Sequence, residues 1–133
     1  MAETLFLLFN HELTDLQRRD AEESLGVRRI IDMPPSLKEL WRNIPPELET
    51  LSDYLKPVKQ WLEGEAGKGD YVLVQGDFGA TYIMVNFSFR NGLIPIYSTT
   101  ERKAIEQTLS DGSIQLQHFF RHRMFRRYEG ACH

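Results

Sequence analysis

The chain has 133 residues, a formal net charge of −3, and apolar and charged fractions ordinary for a globular protein. That length suits one domain with a core of its own, and the weak negative charge excludes a uniformly basic nucleic-acid binder. The charge is uneven. Residues 1–70 hold nine Lys and Arg against fourteen Asp and Glu, whereas residues 71–133 hold seven against five, with Arg121, Arg123, Arg126 and Arg127 close together.

Cys132 is the single cysteine, so no intrachain disulfide can form, which fits a reducing compartment. The N-terminus lacks the basic region of a signal peptide, and its apolar run ends at Asn10-His11, too short to cross a membrane. A cytoplasmic protein without a membrane partner is expected.

Thr4 to Phe9 is an unbroken apolar run, the pattern of a strand buried on both faces. Thr14-Asp15-Leu16-Gln17 has the form of a capping box, and the helix it opens runs to Leu25 and stops at Gly26. Val27 to Met33 predicts a second strand closed by Pro34-Pro35. Ser36-Leu37-Lys38-Glu39 predicts a second capping box and a short helix through Trp41. After Pro45-Pro46, Leu48, Leu51, Leu55, Val58 and Leu62 recur at helical spacing, with Pro57 predicting a kink or two abutting helices. Tyr71 to Gln75 reads as a central strand. Ala80 to Arg90 is apolar almost all round, the mark of a helix buried on most sides. Leu93 to Tyr97 predicts a fourth strand, Glu101 to Leu109 a short helix, Ser110-Asp111-Gly112 a turn, and Ser113 to Tyr128 a long strand, bent or divided in two. Along that strand Ile114, Leu116, His118, Phe120, His122 and Met124 share one parity. Residues 129–133 read as a frayed tail.

Alternating strands and helices imply an α/β fold with a mostly parallel, doubly wound, Rossmann-like sheet in a single domain. Ligands of such sheets bind at the carboxyl ends of the strands. Three of those ends are polar: Asn10-His11, Gln75-Gly76-Asp77 and Ser98-Thr99-Thr100. The stretch Gly76-Asp77-Phe78-Gly79-Ala80-Thr81 turns strand into helix and can offer N–H groups and a helix dipole to an anion. It carries neither the dinucleotide fingerprint nor a Walker loop. Two readings remain: an anion site, or a tight turn that Asp77 caps. Asn10 and His11 can position a ribose or carry a proton, or form an ordinary loop. His118 and His122 lack the further ligands a metal needs and read as a half-buried strand face. The Arg residues near the end interleave with Phe119, Phe120, Phe125 and Tyr128, which suits nucleobases and phosphates or a charged edge strand.

The stretches Thr4–His11, Leu40–Glu47, Gly69–Thr81, Leu93–Thr99 and Phe125–Tyr128 together resemble a family of small stand-alone CRISPR-associated proteins. These accompany type III systems, have a Rossmann-like fold related to CARF sensor domains, and resemble ring nucleases. The resemblance spans nearly the whole chain. It implies binding and linearisation of a cyclic oligoadenylate, cyclic tetraadenylate being favoured, by a homodimer with the ring across its two-fold axis. It implies no cofactor, no metal and no DNA. The ribose 2′-OH attacks the adjacent phosphorus and the 5′-oxygen leaves, with positioning and charge stabilisation as the protein's part.

On this resemblance the N–H groups around Gly76, Phe78, Gly79 and Ala80 hold phosphate, and Gln75 and Thr81 bond phosphate or base. Asn10 orients the ribose, His11 moves the proton, and Asp77 is a base or orients His11. Thr99, Thr100 and Arg102 contact the ring. Two rival readings are a protein that sequesters the ring without cutting it, and a single-stranded RNA-binding module built on the Arg and aromatic residues of the last strand.

Overall fold

In the computed structural model, which describes residues 4–130, the sheet is built outward from β1 (Thr4–Leu8) and β3 (Tyr71–Val74). Every residue of both strands is buried, as unbroken apolar strands covered on two faces require. β2 (Arg29–Asp32) flanks β1 and β4 (Ile94–Thr108) flanks β3, all in parallel. β5 (Ile114–Arg127) pairs antiparallel with β4 and completes the order β2-β1-β3-β4-β5. The fold is α/β as expected. The sheet is mixed, however, because its longest pairing, β4 with β5, is antiparallel.

Helices cover both faces. The strand period of two sends Phe6, Leu8, Val72 and Val74 to one side, where they meet Trp41 of α2 (Pro35–Arg42), Val58 and Leu62 of α3 (Lys56–Glu65) and Met84 of α4 (Phe78–Arg90). Leu5, Leu7, Tyr71 and Leu73 face the other side with Ile96, Phe125 and Ala21. Ala21 opens the π-helical turn Ala21–Leu25 that continues α1 (Asp15–Asp20). The Thr14 capping box is present: Thr14 Oγ1 accepts from Gln17 N–H at 3.1 Å, and Gln17 Oε1 accepts from Thr14 N–H at 2.9 Å. Gly26, at φ 71°, ends this helix in the left-handed region that glycine tolerates. Among the described residues no helix is long and apolar enough to cross a membrane.

Four local expectations are corrected. Ser36 caps nothing, because α2 begins one residue earlier with Pro34 at the cap and Pro35 in the first turn, where its fixed φ fits. Pro57 kinks no helix; it lies in the first turn of α3, and Leu48 and Leu51 precede it in irregular chain. The segment Glu101 to Leu109 is strand where helix was expected, since cross-strand pairing of Thr100–Thr108 with Ile114–His122 overrides the helix preference of its charged residues. The parity of β5 breaks. Thr99 pairs with Met124 but Thr100 with His122, so Arg123 is the extra residue of a β-bulge. Of the tail expected over 129–133, residues 131–133 lie outside the described residues.

The bulge turns His122 onto the α1 side, where its ring lies 4.5 Å from that of Phe125. There His122 Nδ1 pairs with Ser98 Oγ, His122 Nε2 lies 2.6 Å from Asp20 Oδ2, and Gln17 Nε2 donates to Ser98 Oγ at 3.3 Å. This chain of bonds ties α1 to β4 and β5. Burial alone would raise the pKa of Asp20. Hydrogen bonds from Ser24 and His122, with the charges of His122 and Arg123, outweigh it and hold the carboxyl below its ordinary 3.8. The ionised form therefore stabilises the fold above that pH, and the stabilisation is lost as pH falls through the lower folded-state value. Asp20→Asn is expected to destabilise at neutral pH. In urea unfolding series, its gap to the wild type should narrow below about pH 4; a gap of constant size down to strongly acidic pH would contradict the assignment.

Candidate anion-binding site

Gln75, just past the end of β3, ties together β1, β3 and β4. Its N–H donates to Leu8 O at 3.0 Å, its carbonyl accepts from Trp41 Nε1 at 3.1 Å, and its side-chain Oε1 accepts from Ser98 N–H at 2.7 Å. Its amide oxygen is thus committed to Ser98 rather than to a ligand. Gly76 follows, and a Cβ there would lie 2.7 Å from Trp41 Nε1. Only glycine lets the chain pass over the indole.

Asp77 is the N-cap of α4. Its Oδ2 accepts from Ala80 N–H at 3.0 Å, and its carbonyl accepts from Thr81 N–H at 2.8 Å. Ala80 N–H, assigned above to phosphate, is therefore engaged by the cap. The N–H groups of Phe78 and Gly79 have no acceptor within the helix and remain for an anion.

Beside this terminus is a cleft of about 260 Å³ lined by Gln75, Gly76, Phe78, Thr81, Tyr97 and Tyr128. Thr81 Oγ1 is buried and has no hydrogen-bond partner. Tyr128 Oη donates to Val74 O at 2.6 Å. Burial, with the neighbouring Tyr97, raises its pKa above the ordinary tyrosine value, so it stays a neutral donor. The rings of Tyr97 and Tyr128 lie 4.7 Å apart, and Arg126 brings a cation to this wall. Its guanidinium is 5.5 Å above the Tyr97 ring, with one nitrogen donating to Tyr97 Oη at 2.9 Å.

The segment after β1 is brought alongside by the Gln75–Leu8 bond. Asn10 Oδ1 is buried without a partner, while the Asn10 carbonyl accepts from Arg42 at 3.5 Å. His11 is exposed, its ring edge-on to Phe9 at 5.5 Å. The residues after the fourth strand's core do not converge on the cleft. Thr99 Oγ1 is spent on the backbone of Met124, donating to its carbonyl at 3.0 Å and accepting from its N–H at 3.2 Å. Thr100 is on the α1 side opposite His122, and Arg102 is further out, its Nε donating to His118 Nδ1 at 3.2 Å.

α4 is less buried than its sequence predicts. Phe78 is 95% exposed and Tyr82 is 73% exposed, because they share with Phe89 the outward face of the helix while Ala80, Met84 and Phe87 face the core. A second groove of about 590 Å³ runs between Ile44–Leu51 and α4, with Gly79, Tyr82 and Ile83 on its helix side. Tyr97, Tyr128 and Arg126 were not assigned to this site by the sequence. The signal available was parity: Ile96 faces α1, so Tyr97 faces the opposite side together with its cross-strand partner Arg126. The arginines of β5 form no single strip, since Arg127 instead lies 5.9 Å above Tyr71. Among the described residues no group of three or more His, Cys, Asp or Glu side chains is placed to hold a metal ion.

Fold and site together define an α/β protein whose central strand passes through a capped turn into a helix that begins beside exposed aromatic rings. Residues 3–126 match the family model described as "Uncharacterized protein MJ1673 family", and the chain belongs to that family. It is 52% identical over 124 residues to the uncharacterized protein MJ1673 of Methanocaldococcus jannaschii, an alignment spanning 93% of this chain and 95% of that relative.

Gly76→Ala is expected to lower stability by about 1–3 kcal/mol, because the indole of Trp41 must move to admit the methyl group. Denaturant unfolding followed by tryptophan fluorescence measures this. Thr81→Val removes a buried hydroxyl that has no partner, so it should leave stability unchanged or slightly raised by the same assay.

Proposed function

We propose that this chain is a Rossmann-like, CARF-related ring nuclease that binds cyclic oligoadenylate, cyclic tetraadenylate foremost, and opens it without a metal. The observation that carries this reading is Thr81. A buried hydroxyl without a partner costs about 1–3 kcal/mol, and this one lines a cleft beside two helix N–H groups that also lack acceptors. A phosphate held at this turn offers acceptors to such donors. Phe78, which lines the cleft, and Tyr82, one turn further along the same face of α4, are exposed and supply faces on which adenine can stack. Arg126, held by Tyr97, adds positive charge for a phosphorane.

In this reading Asn10 orients the ribose. His11 accepts the 2′-OH proton as that oxygen bonds to phosphorus, the P–O5′ bond breaks, and the 5′-oxygen takes up a proton. The products are a 2′,3′-cyclic phosphate and a 5′-hydroxyl. The nucleophile belongs to the substrate, so in-line positioning supplies most of the acceleration. Asp77 acts as the helix cap. A homodimer presents two clefts to one two-fold ring, in the cytoplasm, where the reaction ends type III CRISPR signalling.

The purified protein, incubated with cyclic tetraadenylate or cyclic hexaadenylate in EDTA, is expected to give linear oligoadenylate ending in a 2′,3′-cyclic phosphate, resolved by chromatography and mass. Intact ring with tight binding would establish sequestration instead, and absence of binding would sink both. His11→Ala should slow cleavage by about 10²–10⁴-fold with the ring's Kd unchanged. Asp77→Asn, which preserves an N-cap, should cleave at nearly the wild-type rate; a loss as large as that of His11→Ala would make Asp77 catalytic.

A further inference from the structure

We propose that the outer part of the β4–β5 hairpin is an arm that clasps a second copy of this chain. The function proposed above assumes two subunits but assigns no surface to their pairing; this inference assigns it and needs no ligand.

β3 pairs with β4 only as far as Ile96, and past the bulge β4 and β5 pair with each other alone. At about 3.3 Å per residue, Thr100–Thr108 reaches roughly 30 Å. Because β4 runs parallel to β3, the ribbon projects past the carboxyl ends of β1 and β3, the same edge that holds the cleft. Residues 102–121 are exposed throughout. A two-stranded ribbon with no covered face is marginal in water, and a long apolar edge strand left open is an aggregation hazard. Yet this one is rich in apolar side chains. Ile114, Leu116 and Phe120 share one face, and Ile105 and Phe119 the other, with Phe120 72% exposed.

The chemistry selects the occupant. Glu101, Glu106 and Asp111 balance Arg102, Lys103 and Arg121, so the arm carries no net charge. Nucleic acid or an anionic surface gains nothing from such a ribbon, whereas an identical arm meets no repulsion. An isologous contact places the Ile114, Leu116 and Phe120 stripe against its own copy. One face of the arm offers about half of its roughly 20 residues, the small end of the range of specific interfaces. The stripe shares the face of His122, on the α1 side of the sheet, so pairing through it leaves each cleft, on the Tyr97 side, uncovered.

The full chain, examined by analytical ultracentrifugation across micromolar concentrations, is expected to be a dimer. Two variants test the arm. Leu116→Glu with Phe120→Glu places charges on the stripe. A shortened chain joins Thr100 to its cross-strand partner His122 through an Asn-Gly turn, which suits a two-residue hairpin. Both should raise the dimer dissociation constant at least about 100-fold while keeping the far-UV circular dichroism of the core. The shortened chain decides the matter if the double substitution fails to fold. A monomeric wild type, or a shortened chain that stays dimeric, overturns the inference. An arm-dependent dimer that ignores cyclic tetraadenylate overturns the proposed function and leaves the arm standing; ring cleavage by a chain that remains dimeric without its arm does the reverse.

Discussion

The contact between the Trp41 indole and the Gly76 turn joins the core of this protein to its surface chemistry. Trp41 is almost wholly buried and packs into the cluster formed by β1, β3 and the helices on that face. Its one polar atom donates to Gln75 O, at the point where β3 ends. The ring leaves no space for a side chain at position 76. Core packing therefore dictates how the chain leaves β3, and with it the direction in which α4 starts. Removing so large a buried aromatic costs about 3–5 kcal/mol in a typical core, so the turn is held by an interaction that is a sizeable part of a domain's net stability.

Beyond the turn, the cap of α4 and the N–H groups of its first turn act in opposite electrostatic directions. Asp77 takes the N–H of Ala80 and places a negative charge beside the helix terminus, which opposes phosphate. The N–H groups of Phe78 and Gly79, the helix dipole and Arg126 act the other way. Helix stability explains Asp77. It does not explain why Phe78 and Tyr82 stand in water, or why Thr81 keeps a buried hydroxyl without a partner. Such departures from local economy cluster where a surface has work besides folding.

One inserted residue organises the other side of the sheet. Without the bulge at Arg123, strict alternation would set His122 and Phe125 on opposite faces of β5. With it, both turn toward α1, and His122 links Asp20 to Ser98. The bulge also marks where the five-stranded sheet ends and the free ribbon begins. Local twist and a change of side-chain direction are what bulges supply, and here they separate a buried anchor from an exposed arm.

The sequence by itself determined the elements whose signals are local. Unbroken apolar runs required β1 and β3 to be buried on both faces, the Thr14 and Gln17 pair marked the start of α1, and Gly26 marked its end. The polar residues after β1 and β3 marked where those strands stop. Tertiary structure decided what depends on partners distant in the chain. Glu101 to Leu109 is strand because β5 lies beside it. Thr100 and Arg102 leave the cleft because β4 continues past the sheet. Tyr97, Tyr128 and Arg126 enter it because antiparallel pairing brings residues some thirty positions apart onto one face. Even Gly76, conspicuous in the sequence as a turn residue, owes its necessity to Trp41, 34 residues before the carbonyl that the indole holds. Periodicity and capping are written in neighbouring residues, whereas register, bulges and close approach arise only when the strands meet.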